Sequence, residues 1–279
     1  MSSATARVIS RNPSLVIGSI LVAVIVVLAV TALFWTPHPP SRMAMGSRLA
    51  PPSAMYWLGT DQFGRDVMSQ VMMGARNALY VAVFAVVIGA GIGSALGLAA
   101  AAARGWPEEI FMRLCDFAYA FPAVLLAIII AALAGVGATT TILAIAIFTI
   151  PVFGRLARGA AIEVWSRSFI AAARLNGRGS VGITIRHILP NIGGLLVVQV
   201  STQIALAIIV EAGLSYLGIG LQPPETSWGK MLADAQTNMA RAPTLAIFPG
   251  LAIAIAVLGF NLLGDGVRDL LDPRLRRGR

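Results

Sequence analysis

Five stretches of this chain carry no charged residue, and their lengths leave little choice of fold. Residues 15–34 give a run of 20, 77–103 one of 27, 117–154 one of 38, 191–210 one of 20 and 244–264 one of 21. A helix needs about 20 apolar residues to cross roughly 30 Å of hydrocarbon. In lipid a segment must bond its own backbone groups, so runs of this kind are helices. The 38-residue run is too long for one span and has a natural turn at Gly135-Val136-Gly137. Six transmembrane helices are expected, in an all-α membrane protein. Only 12% of residues are charged, half the roughly 25% of a soluble domain.

The first run reads as a retained span, because its core exceeds a signal peptide's and no small-x-small site follows before Pro37. Six spans put both termini on one side. With that side cytoplasmic, 15 of the 21 Lys and Arg lie inside and 6 outside, as the positive-inside rule requires. The net charge of +9 is thus topogenic, and the expected partner is a lipid bilayer, not nucleic acid. Twenty arginines to one lysine suggest a GC-rich bacterial genome. The one cysteine, Cys115, has no internal partner and reads as a small apolar residue.

The chain divides into 1–76, a first helix at about 15–34 with an external segment; 77–264, a five-helix core; and 265–279, a basic cytoplasmic tail. Within the core lie a long cytoplasmic loop, 155–190, and an external segment, 214–243. The first external segment opens on the Pro-rich WTPHPP, an extended connector. Tyr56 and Trp57 suit the membrane interface, and Asp66 suits the cap of a helix lying along the membrane before span two. Gly89, Gly93 and Gly97 repeat at small-xxx-small spacing and predict close helix packing. Pro122, Pro151 and Pro249 fall in or near spans and are expected to mark kinks.

Catalytic chemistry finds no support. There is no P-loop pattern, and His38 and His187 fall on opposite sides of the membrane. No metal or cofactor site is expected in this chain, which does not read as an enzyme. Asp116 and Glu211 sit near span ends, where they suit either interfacial anchoring or a proton relay. Gln199, Ser201, Thr202 and Gln203 form a polar cluster in span five, with Gln199 and Gln203 one turn apart. They suit either a water-filled translocation path or hydrogen bonds to another helix.

The long cytoplasmic loop contains FIAAARLNG. Ser168 or a neighbour can cap a short helix through 169–176, and Gly177 fits the position that ends one. Ala171, Ala172 and Ala173 give it a flat face, with Arg174 and Arg178 beside it. FIAAARLNG followed by IRHILPN resembles the EAA loop of bacterial ABC importer permeases. LGTDQFGRDVMSQVMMGAR, EAGLSYLGIGLQPPETSWGKML and FPGLAIAIAVLGFNLLGDGVRDLLDP resemble further motifs of the same family. The likeness covers nearly the whole chain and points to the second permease of the dipeptide, oligopeptide and nickel group. It implies the type I importer fold and a bacterial inner-membrane location. It also implies a homologous second permease, two ATPase domains holding ATP and Mg, and an extracytoplasmic solute-binding protein. In that reading the loop, with Phe169, Ala171, Ala172, Ala173, Arg174, Gly177 and Arg178, couples to the ATPases. The external motifs, with Asp61, Arg65, Asp66, Glu225, Trp228 and Lys230, receive the binding protein. One departure stands out: Ala171 occupies the place of the motif's usual glutamate. An ion-driven carrier is the alternative, but the spans lack the central acids it would want. A structural scaffold leaves the loop unexplained. Short peptides are the expected cargo.

Overall fold

The computed structural model describes residues 12–120 and 122–271. Arg7, Arg11 and residues 272–279 of the expected tail lie outside the described residues. Nine helices are found among those described: α1 (Pro13–Phe34), α2 (Val67–Ala103), α3 (Trp106–Ala120), α4 (Ala123–Ala134), α5 (Ala138–Trp165), α6 (Ser168–Leu175), α7 (Ser180–Tyr216), α8 (Trp228–Ala235) and α9 (Thr244–Leu271). Five of them (α1, α2, α5, α7 and α9) are long and apolar enough to cross a membrane, and the bent pair α3–α4 makes a sixth if taken as one span.

The closest seam of the core is made of small residues. Gly89, Gly93 and Gly97 of α2 face α5: a Cβ on Gly89 would lie 2.6 Å from Thr149 Cβ, and Cβ atoms on Gly93 and Gly97 would meet the carbonyls of Ile150 and Gly154. The two backbones therefore touch over two helical turns, which is what small-xxx-small spacing permits. Ala75, Ala78, Ala82 and Ala85 continue the seam, with Ile142, Ile145, Ala205, Ile208 and Ala256 packed around it. Helix α1 lies along α9, where Gly18 meets the backbone of Leu262 and Leu263, and Gly266 meets that of Leu15. Asn12 accepts from the Leu15 N–H at the start of α1 and donates to Asp269 at 3.2 Å.

Three expectations are corrected. Asp66 caps a helix, its Oδ2 accepting from the Ser69 N–H at 2.9 Å, but that helix is α2 itself and not a separate one on the membrane surface. Span three is broken: α3 and α4 meet at 90°, because Pro122 is extended, at ψ 132°, and starts a new helix. The 155–190 segment is mostly helix, since α5 runs to Trp165 and α7 begins at Ser180. Inside α7 one π-turn spans Thr184–Ile188. Pro190 lacks the N–H that would bond the Arg186 carbonyl in a regular ladder, and next to it the Asn191 side chain donates to the His187 carbonyl at 2.6 Å. The Gly135-Val136-Gly137 turn stands where it was expected, with both glycines at positive φ.

Candidate functional site

At the end of the bundle where α2 and α5 finish and α7 begins, a short amphipathic helix packs on the spans. Ile170 and Ala173 of α6 are 1% and 8% exposed. They pack with Ala157, Ala161, Trp165, Ile183 and Ile188. Arg174 lies over the Trp165 ring, 4.9 Å from its centroid. The helix begins after Arg167 with no side-chain cap, so Ser168 is its first residue, not its cap. It ends in a Schellman motif: the Gly177 N–H bonds the Arg174 carbonyl at 2.9 Å and the Arg178 N–H bonds that of Ala173 at 3.3 Å. Gly177 has φ +74°, a conformation that suits glycine.

The opposite face of α6 is open. Phe169, Ala171, Ala172 and Arg174 are exposed, and Leu175 is 90% exposed, as are Val181 at 73% and Ile185 at 59% in the first turns of α7. Ala173 therefore belongs to the inner face, not to the flat outer one. Sequence reasoning missed Leu175, although the Asn-Gly that follows it marks where a helix end must project. Arg178 reaches the His187 ring at 3.0 Å. Because Ala171 points outward between Arg167 and Arg174, Ala171→Glu is expected to fold as the parent does. Its thermal midpoint in detergent should correspond to a stability change within about 0.5 kcal/mol.

At the other end of the bundle the segments 35–66 and 217–243 brace each other. Asp61 accepts from the N–H groups of Phe63 (2.8 Å) and Arg65 (2.9 Å), from Arg65 Nε (2.6 Å) and from Gln70 Nε2 (3.0 Å). Arg65 continues to Asp234 at 3.6 Å, and Lys230 to Asp234 at 2.7 Å. Asn77 donates to the Thr226 carbonyl at 2.8 Å, and Trp228 Nε1 to that of Val71 at 3.0 Å. Of the residues expected to receive the binding protein, Asp61, Asp66 and Trp228 are 8%, 2% and 0% exposed, Arg65 is ion-paired with Asp61 and Lys230 with Asp234. Glu225 is exposed. So are Met43, Met45, Met55, Trp57 and Met239.

Trp228 fills the space over Gly74, whose Cβ would fall 2.6 Å from the indole Nε1. Trp228→Ala is expected to cost about 3–5 kcal/mol and Trp228→Phe about 1 kcal/mol for the lost hydrogen bond. Thermal unfolding of the purified variants checks both. The same segment buries Glu211 completely, at 0% exposed. Ser215 donates to its Oε1 at 2.7 Å, and Oε2 has no hydrogen-bond partner among the described residues. Glu211 is thus not an interfacial anchor, because 221–229 folds back over it.

The polar cluster of α7 is divided. Gln203, 4% exposed, lines a cavity of about 70 Å³ with Ala144, Phe148, Thr149, Leu206 and Val210. Ser201 and Thr202 turn toward Gly264 of α9, and Gln199 is half-buried.

A helical bundle with several candidate spans, braced by segments at one end and carrying a short helix with an exposed face at the other, describes a multi-pass membrane protein. The family comparison makes this specific: residues 89–277 match the binding-protein-dependent transport system inner membrane component, and the chain belongs to that family. It is 43% identical over 267 residues to the glutathione transport system permease protein GsiD of Pectobacterium atrosepticum, covering 95% of this chain and 89% of that one. To GsiD of Escherichia coli it is 42% identical over 260 residues, covering 93% and 86%. The fold is that of type I ABC importer permeases, and the protein is a permease of the peptide type.

Proposed function

We propose that this chain forms half of the translocation path of an ATP-driven importer for glutathione or similarly short peptides. The other half is a homologous second permease. The observation that carries this is α6: one face is fixed in the bundle and the other is bare, with Leu175 exposed at its end and Val181 and Ile185 exposed on the following first turns of α7. A rigidly held apolar knob transmits motion between a partner and the spans. Its partner in this reading is the ATPase, which holds ATP and Mg, while this chain holds neither and performs no catalysis. Both termini are then cytoplasmic, and the braced outer segments face the solute-binding protein. The glutathione named for the relatives supports a peptide cargo.

Leu175→Cys tests the coupling assignment. Cys115 is 3% exposed, so a thiol-directed crosslinker reads position 175 with little background. A crosslink to the ATPase subunit that changes on adding ATP is expected, and its absence in the assembled complex contradicts the assignment.

A further inference from the structure

His38 belongs to the connector that follows α1, and the fold lays it against the N-terminus of α2. Its backbone N–H donates to Ser69 Oγ at 3.0 Å, and Ser69 gives both its own N–H and its hydroxyl to Asp66 Oδ2, at 2.9 and 2.5 Å. The His38 ring stacks on Tyr56, with centroids 4.9 Å apart. Its Nδ1 stands 3.7 Å from Asp66 Oδ2, within reach of the carboxylate's charge but beyond a hydrogen bond. Two buried polar atoms lack a hydrogen-bond partner among the described residues here, His38 Nδ1 and Asp66 Oδ1. Both residues line one cavity of about 80 Å³, with Arg42, Ala44, Met55, Tyr56 and Gly64.

A carboxylate withdrawn from water is costly unless donors or a cation answer it. The Asp66 side chain is 1% exposed, with both Ser69 bonds on Oδ2 and none on Oδ1. A neutral imidazole adds no charge to oppose it. An imidazolium carries a proton on each ring nitrogen, so Nδ1 can donate to the carboxylate once the two close by about 1 Å. The cavity that both groups border leaves room for that movement. Arg42 and Tyr56 are the other charged or titratable residues on it. Asp61 and Arg65, on the turn before Asp66, pair with each other and border a different cavity with Asp234. Of these side-chain types, imidazole is the one that ordinarily changes charge between about pH 5 and pH 8.

We propose that His38 and Asp66 are a proton-operated clasp that fixes the connector after α1 to the head of α2. Acid closes it and alkali frees it, since an ordinary imidazole passes from about 3% protonated at pH 8 to about 90% at pH 5.5. Closing takes one proton from solution onto the ring and breaks no covalent bond. The connector is the chain's direct link from α1 to α2, so the clasp sets how tightly those helices are joined at that end of the bundle. The test is electron paramagnetic resonance on the full chain in nanodiscs, with a nitroxide on Ser41→Cys. Ser41 is an exposed residue of the connector, and Cys115, 3% exposed, takes little label. Between those two pH values the label's mobile fraction should fall roughly twofold or more in the otherwise unaltered chain. His38→Gln and Asp66→Asn should each abolish that fall. Asparagine caps a helix much as aspartate does, so Asp66→Asn keeps the start of α2, and His38→Gln covers the case in which it does not fold. Arg42→Gln should keep the response, because a guanidinium holds its charge throughout. Mobility that ignores pH in the unaltered chain overturns the proposal. So does a response that survives in His38→Gln or Asp66→Asn, or one that disappears in Arg42→Gln.

Discussion

Gly97→Leu is expected to leave no folded permease in the membrane, the largest stability effect foreseen for a single substitution here. A Cβ at that position meets the Gly154 backbone of α5, and backbone cannot rotate away as a side chain can. Overpacking a core commonly costs about 1–3 kcal/mol. This clash should exceed that range, at more than about 3 kcal/mol, because two long helices would have to part along their whole seam. Gly91 supplies the control. It lies on the same helix, and a Cβ there would meet nothing within 4 Å among the described residues, so Gly91→Leu should insert and assemble normally. Quantifying the folded, monodisperse protein after mild detergent extraction separates the two. Equal yields would show that the α2–α5 seam is not what holds the bundle.

Leu175→Asp is expected to leave the fold intact and disconnect it from its energy source. The side chain is 90% exposed, so the substitution removes no core contact and strands no buried polar group. Central apolar residues of an interface are worth about 2 kcal/mol or more, and uptake by the reconstituted importer should therefore fall about thirtyfold or more. The α-helical content and thermal midpoint of the permease should not change. Undiminished uptake would remove the exposed face of α6 from the coupling contact.

Much of this architecture can be read from local pattern. An uncharged run longer than a membrane is thick admits few structures, and the Gly135-Val136-Gly137 turn is set by residues adjacent in sequence. The end of α6 at Gly177 is legible for the same reason, since a Schellman motif is built from a few consecutive residues. Helix limits are less so. Charge marks where a span leaves lipid, not where its helix stops: α2 starts at Val67, well before Arg76, and α7 carries Arg186 and His187 within its first turns. The break between α3 and α4 needs Pro122 to act as a helix start, where a kink is the expectation.

The outer brace is illegible for a different reason. Trp228 bonds Val71 and Asn77 bonds Thr226, pairs that nothing local connects. Asp61, Asp66 and Trp228 look in sequence like polar and aromatic loop residues ready for a partner. Only the fold reveals their engagements: Asp61 bonds Arg65 and Gln70, Asp66 bonds Ser69, and Trp228 reaches across to Val71. The same holds for Asp116 and Arg155, which read separately as the two ends of an apolar run and together as a pair.

ATP-dependent uptake of labelled glutathione and of dipeptides into proteoliposomes is the most direct test of the central claim. The vesicles would hold this chain, its partner permease and the ATPases, with binding protein supplied on the outer face. Accumulation that requires both ATP and the binding protein is the predicted result. Accumulation that is driven by an ion gradient and proceeds without ATP would contradict the importer account.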